Sequence, residues 1–93
     1  MYNVLICDDQ PDIVNALKIY LTPEGYNLFE AFTGTQAVEI AKNNDIHLIL
    51  LDVMMPGEDG FAVCRRIRSL TEVPILFLSA RTDEAAVLEG LGI

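Results

Sequence analysis

Basic residues are scarce in this 93-residue chain: six Lys and Arg stand against fourteen Asp and Glu, for a formal net charge of −8. Binding to a phosphate backbone or an anionic membrane surface needs clustered Lys and Arg, so the chain is expected to contact neither directly. It also lacks a long apolar run. None reaches the ~18 residues of a membrane helix, and Met1–Cys7, although apolar, is too short for a signal-peptide core and runs straight into acids. There is no CxxC motif and no His/Cys cluster; Cys7 and Cys64 sit singly inside apolar patterns, as buried free thiols do in a reducing cytosol. Low-complexity segments and fixed repeats are missing as well. These absences leave a soluble, cytoplasmic domain, and a composition 52% hydrophobic means it is built to bury a core.

What is present alternates between short apolar runs and helix-period stretches. Tyr2–Cys7 reads as a strand whose unbroken Val4-Leu5-Ile6 suits burial on both faces, hence a parallel central sheet. Pro11 fits a first helical position, and Ile13, Ala16, Leu17, Tyr20 and Leu21 supply an amphipathic face. Thr22-Pro23-Glu24-Gly25 stops that helix. Tyr26–Ala31 is a more polar strand, expected at an edge. Thr33 or Thr35 caps a second helix with Ala37, Ile40 and Ala41 inward, ended by Asn43-Asn44. Ile46–Leu51 is the clearest strand, Met55-Pro56-Gly57 a turn, and Gly60–Leu70 a third helix through Val63, Ile67 and Leu70. Val73–Leu78 is a fourth strand, and Thr82 or Asp83 opens a fourth helix with Val87, Leu88 and Leu91. This βαβαβαβα order predicts an α/β domain over residues 1–93, a parallel sheet with helices on both faces.

Sites in open parallel sheets form at the carboxyl ends of strands, and here those ends are polar. The first strand ends in Asp8-Asp9, the third in Asp52 after Leu48-Ile49-Leu50-Leu51, and the fourth in Ser79 after Ile75-Leu76-Phe77-Leu78. If strands one and three are neighbours, their tips lie about 4.8 Å apart, and three carboxylates converge. Like charges that close raise one another's pKa unless a cation compensates. A hard divalent ion with oxygen ligands is the natural compensation, and Mg²⁺ is commonly held by one or two carboxylates with waters and phosphate. His47, at the start of a strand and away from these ends, reads as a rim residue. Arg65, Arg66 and Arg68 read as a solvated helix face, and Gly57 and Gly60 as turn and helix-start positions.

The constellation spans the whole chain and resembles the receiver domain of bacterial response regulators. The residues that carry the resemblance are Ile6-Cys7-Asp8-Asp9, then Leu50-Leu51-Asp52-Val53-Met54-Met55-Pro56-Gly57 with Asp59-Gly60, and Pro74-Ile75-Leu76-Phe77-Leu78-Ser79-Ala80. The resemblance implies a flavodoxin-like fold, here with strand order 2-1-3-4 and the fifth strand and helix missing. It implies Asp52 as acceptor of a phosphoryl group from a sensor histidine kinase, rather than an enzyme with turnover. It further implies Mg²⁺ held by Asp8, Asp9, Asp52 and the backbone carbonyl of Met54, and Ser79 as phosphoryl contact and switch, with Ala80 leaving room for the phosphate. The output is expected to be control of transcription.

The pattern departs from the family in one respect. Receivers carry a lysine that pairs with the phosphoryl group at the end of a fifth strand, and an aromatic on that strand; Lys18 and Lys42 fall in the first and second helices and fill neither place. The expectation is a domain incomplete before its fifth βα unit, with an apolar fourth strand open to self-association. Two other readings use the same residues: a receiver-like interaction module without phosphotransfer, and an Asp-nucleophile, Mg²⁺-dependent phosphatase of haloacid-dehalogenase type. The latter needs a second Asp two residues after the first-strand nucleophile, where this chain has Gln10.

Overall fold

A computed structural model describes residues 2–78. Ser79, Ala80 and the fourth helix expected from Thr82 or Asp83 lie outside the described residues. Within them the order is β1 (Asn3–Cys7), α1 (Pro11–Leu21), β2 (Asn27–Ala31), α2 (Gly34–Asn43), β3 (Leu48–Asp52), α3 (Gly60–Arg68) and β4 (Ile75–Leu78). The strands form one parallel sheet in the order β2-β1-β3-β4. This is the flavodoxin-like arrangement expected from the sequence, with the polar β2 at an edge.

The two-residue period of the strands divides the core. Leu5 and Cys7 of β1, Ile49 and Leu51 of β3, and Ile75 and Phe77 of β4 share one face with Ala37 of α2 and Val63, Cys64 and Ile67 of α3. Val4, Ile6 and Leu50 face the other way, onto Val14 of α1. Val4–Cys7 of β1 and Leu48–Leu51 of β3 are therefore apolar without a break because both faces are covered, as their unbroken runs required.

Local chemistry sets the ends of the helices. Pro11 is the first residue of α1, which tightens into a 3-10 turn over Thr22–Glu24 and stops at Gly25 with φ +84°. Thr33, not Thr35, caps α2, its side chain accepting from the Gln36 amide at 3.1 Å. Asp59 caps α3 in the same way, accepting from the Phe61 amide at 2.9 Å.

Several details differ from the sequence expectation, and β3 runs Leu48–Asp52 where Ile46–Leu51 was expected. In α1 the residue sealed against the sheet is Val14, with Leu17 and Leu21 partly buried beside it, while Tyr20 is 77% exposed. Apolar residues at 13, 14, 16, 17, 19, 20 and 21 offer more than one stripe, and packing on the sheet selects one. α3 ends at Arg68, leaving Leu70 half exposed. Arg68 is not part of a solvated face: its guanidinium donates to the carbonyls of Thr71 and Val73, ahead of β4, which starts at Ile75 and not at Val73. His47 lies at the amino end of the sheet, its Nδ1 accepting from the Asn3 amide at 2.9 Å. That makes it a structural rim residue.

The α1 register is open to test. Val14→Ala removes two buried methyl groups and is expected to cost about 1.5–2.5 kcal/mol, whereas Tyr20→Ala stays within about 0.5 kcal/mol of the parent. Urea unfolding of both variants checks this, and the opposite ranking contradicts the register.

Candidate metal centre

The pairing of β1 with β3, Cys7 opposite Leu51, brings the chemistry together. Asp52 ends β3, and Asp8 and Asp9 leave β1 one and two residues past its last ladder position. Asp8 and Asp52 are buried, 1% and 4% exposed, and Asp9 is half-buried. One carboxylate oxygen from each of the three lies within 4.8 Å of the other two.

Each carboxylate is held differently. The backbone turns back on Asp8, whose Oδ1 accepts from the Gln10 amide at 2.9 Å, and on Asp52, whose Oδ1 accepts from the Met54 amide at 2.9 Å. Both turns fix the side chain, and among the described residues the second oxygen of each group has no such bond. Asp9 Oδ1 is buried with no hydrogen-bond partner among the described residues. A buried, unpartnered carboxylate oxygen is costly, and an oxygen-binding cation at the shared point removes the cost. The donor set is all oxygen and anionic, which suits Mg²⁺ or Ca²⁺ and not a soft metal. Cys7 is next in sequence but does not join it. Burial, followed by the charges of Glu58, Asp8, Asp52 and Asp9, pushes its thiol up to about 12, so it stays protonated and unreactive.

The loop from Asp52 to α3 is built around two glycines. Met55, Pro56, Gly57 and Glu58 form a turn closed by the Glu58 amide on the Met55 carbonyl at 3.2 Å, with Gly57 at φ +74°. Proline followed by a positive-φ glycine is the type II pattern. Gly60 serves contact: a Cβ there would come within 2.3 Å of Val53 Cα and 2.9 Å of the Asp52 carbonyl oxygen. Met55 is buried beside Cys7, its Sδ 3.9 Å from the thiol, while the Met54 side chain is exposed at the site's edge. Ser79 lies outside the described residues. Lys18 pairs with Glu30 of β2, and Lys42 is in the last turn of α2. Sequence reasoning missed Glu58, whose carboxylate accepts from the Gly34 amide at 2.6 Å; the available signal was that α2 has no acid in its own first turn.

Crowding has a thermodynamic signature. Burial, then the charges of Asp52 and Asp9, raise Asp8 from 3.8 to about 6, against the lowering effect of the Gln10 amide. Between these values the metal-free folded chain keeps a proton that the unfolded chain has lost. The stability this provides is complete below the unfolded value and is gone once pH passes the folded one. At neutral pH the ionised group then costs the fold at most roughly 3 kcal/mol at 1.36 kcal/mol per unit, and less where solvent screens the charge. Asp8→Asn keeps the Gln10 contact and drops the charge. In chelator it is expected to be more stable than the parent by about 1–3 kcal/mol near neutral pH, with the gap narrowing toward about pH 4. Denaturant titrations across pH check this, and a gap independent of pH contradicts it.

Comparisons with known proteins agree with this geometry. The family model of the response regulator receiver domain matches residues 4–93. The chain is 41% identical over 92 residues to the transcriptional regulatory protein YvrH of Bacillus subtilis, covering 98% of this chain and 39% of that protein. It is 36% identical over 90 residues to the response regulator GtcR of Aneurinibacillus migulanus, covering 97% of this chain and 37% of that protein. It thus spans about two fifths of the length of these curated relatives. Among solved structures, the response regulator TrrA of Thermotoga maritima in complex with Mg²⁺ and BeF superposes with a TM-score of 0.82 at 32% identity, over 98% of this chain and 80% of that one. A two-component response regulator from Clostridium difficile superposes at 0.85 with 26% identity, over 99% of this chain and 76% of that one. Parallel sheet order, acidic strand tips and sequence all converge, and the chain belongs to the response regulator receiver domain family.

Proposed function

We propose that this chain is a phosphoacceptor in two-component signalling, taking a phosphoryl group on Asp52 from a phosphohistidine of a sensor histidine kinase. The observation that carries the reading is the buried Asp9 Oδ1, unpartnered among the described residues, beside Asp8 and Asp52 at adjoining strand tips. Asp8, Asp9, Asp52 and the Met54 carbonyl are the proposed holders of Mg²⁺. When bound, the ion supplies positive charge to offset the three carboxylates and the oxygens of the incoming phosphoryl group.

The chain's own residues do the rest. The Met54 amide fixes Asp52 through Oδ1, leaving Oδ2 as the attacking atom. An O–P bond forms at Asp52 as the P–N bond to the kinase imidazole breaks, its electron pair staying on the imidazole nitrogen, which takes a proton from water. The product carries about −1.5 to −2 charge where a single carboxylate charge stood. Ser79 is proposed to donate its hydroxyl to a phosphoryl oxygen, and reorganisation around that contact is the proposed switch. By analogy with relatives named as transcriptional regulators, the output read from this switch is transcription, and the setting is the cytoplasm. Among the described residues β4 bonds to β3 alone, and Ile75–Leu78 carries no charge. Its outer edge is therefore proposed to pair with a second copy; sedimentation showing a monomer at every concentration contradicts that pairing.

Acetyl phosphate with Mg²⁺, followed by intact mass and peptide mapping, tests the reading. One phosphoryl adduct is expected, on Asp52, and none in Asp52→Asn; Ser79→Ala is expected to be labelled but to give a smaller spectral change. An adduct that persists in Asp52→Asn and maps to Asp8 or Asp9 overturns the assignment.

A further inference from the structure

Glu58 lies six residues beyond Asp52, on the loop that carries Met54, yet its side chain reaches another element. Its Oε2 accepts from the amide of Gly34, the first residue of α2, at 2.6 Å. Both carboxylate oxygens lie over Gly34, 3.1 Å from where a Cβ would stand, and Val63 of α3 would meet that atom at 2.5 Å. Glycine here is the condition for the carboxylate to reach the helix end. α2 has no acid of its own in the first turn. Thr33 satisfies the Gln36 amide, and Glu58, 24 residues away in sequence, supplies both an acceptor and the negative charge that a helix N-terminus favours.

The loop is thus pinned on two sides. At its far end Gly60 presses on Val53 and the Asp52 carbonyl with no space for a side chain. At Glu58 it is tied to α2, whose entry segment also touches β1 through the Cys7 thiol and the Thr33 carbonyl at 3.6 Å. Between the two ties and Asp52 sits Met54, whose amide orients the Asp52 carboxylate.

We propose that Glu58 is a positioning residue for the metal and phosphoacceptor site, holding the Met54 backbone against Asp52 by its bond to the α2 N-terminus. The role toward Mg²⁺ and phosphoryl transfer rests on the function proposed above; the positioning of Met54 does not. Residues that orient ligands from outside the coordination sphere change metal affinity about 10–100-fold when removed. Glu58 acts through Met54 and Asp52 and does not touch the reacting atoms.

The test compares the 93-residue parent with Glu58→Ala and Glu58→Gln. Glutamine retains an acceptor for the Gly34 amide, so rescue is built in. In chelator, amide hydrogen exchange of Met54 is expected to quicken about tenfold in Glu58→Ala and to return toward the parent in Glu58→Gln, with exchange in β1 and β3 unchanged. Mg²⁺ affinity by calorimetry is expected to fall about tenfold in the alanine variant and to recover in the glutamine one. Parent-like Met54 exchange in Glu58→Ala, or a uniform rise across the sheet, overturns the proposal whatever the phosphoryl result. A parent that takes no phosphoryl group while the Met54 effect holds refutes the function and leaves the positioning role standing.

Discussion

Three carboxylates at the tips of two hydrogen-bonded parallel strands repel one another, and much of this fold serves to hold them together regardless. Asp8, Asp9 and Asp52 have ligand oxygens within 4.8 Å of each other, and two of the three side chains are out of water. No sequence would place them so for stability alone. The two-sided burial of β1 and β3 provides the offset, since side chains such as Leu5, Ile6, Ile49 and Leu51 are fully buried. At ~1.5–3 kcal/mol for each large apolar side chain, a few such residues outweigh the charge crowding. The core is therefore the means by which a destabilised, cation-seeking cluster persists at a strand end.

The same arrangement explains why the supporting groups are backbone amides and glycines. A carboxylate turned by the amide two residues ahead, as at Asp8 with Gln10 and Asp52 with Met54, is oriented without adding a competing cation. Gly57 makes the turn and Gly60 the close approach, so the loop returns to the sheet directly over Asp52. Glu58 then carries the loop's far side to α2. Charge and shape at the site are consequently linked to helices on one face of the sheet, the face where α2 and α3 pack.

Much of this was legible in the residues. Unbroken apolar runs identified the buried parallel strands, and an Asp at the end of two of them located the site, because strand ends in such sheets are where side chains meet. The order β2-β1-β3-β4 was implied by the family resemblance, and with β1 beside β3 the meeting of Asp8, Asp9 and Asp52 follows from the Asp-terminated strands. Other features were not legible because they depend on which surfaces meet. The stripe of α1 that packs is chosen by the sheet, so Val14 and not Tyr20 is buried. Arg68 reads as a surface charge until its contacts with the Thr71 and Val73 carbonyls are seen. Glu58 reads as a loop acid because its partner, Gly34, is distant in sequence and offers only a backbone amide.

The central claim is that the three carboxylates form one cation site whose occupancy relieves their repulsion. The most direct measurement is the melting temperature of the parent and of Asp9→Ala as a function of Mg²⁺ at constant ionic strength. The parent is expected to rise with Mg²⁺ along a single-site curve, as binding to the folded state alone requires, while Asp9→Ala starts higher in chelator and responds weakly. A parent whose melting temperature ignores Mg²⁺, or an Asp9→Ala variant that follows the same curve, would contradict the account.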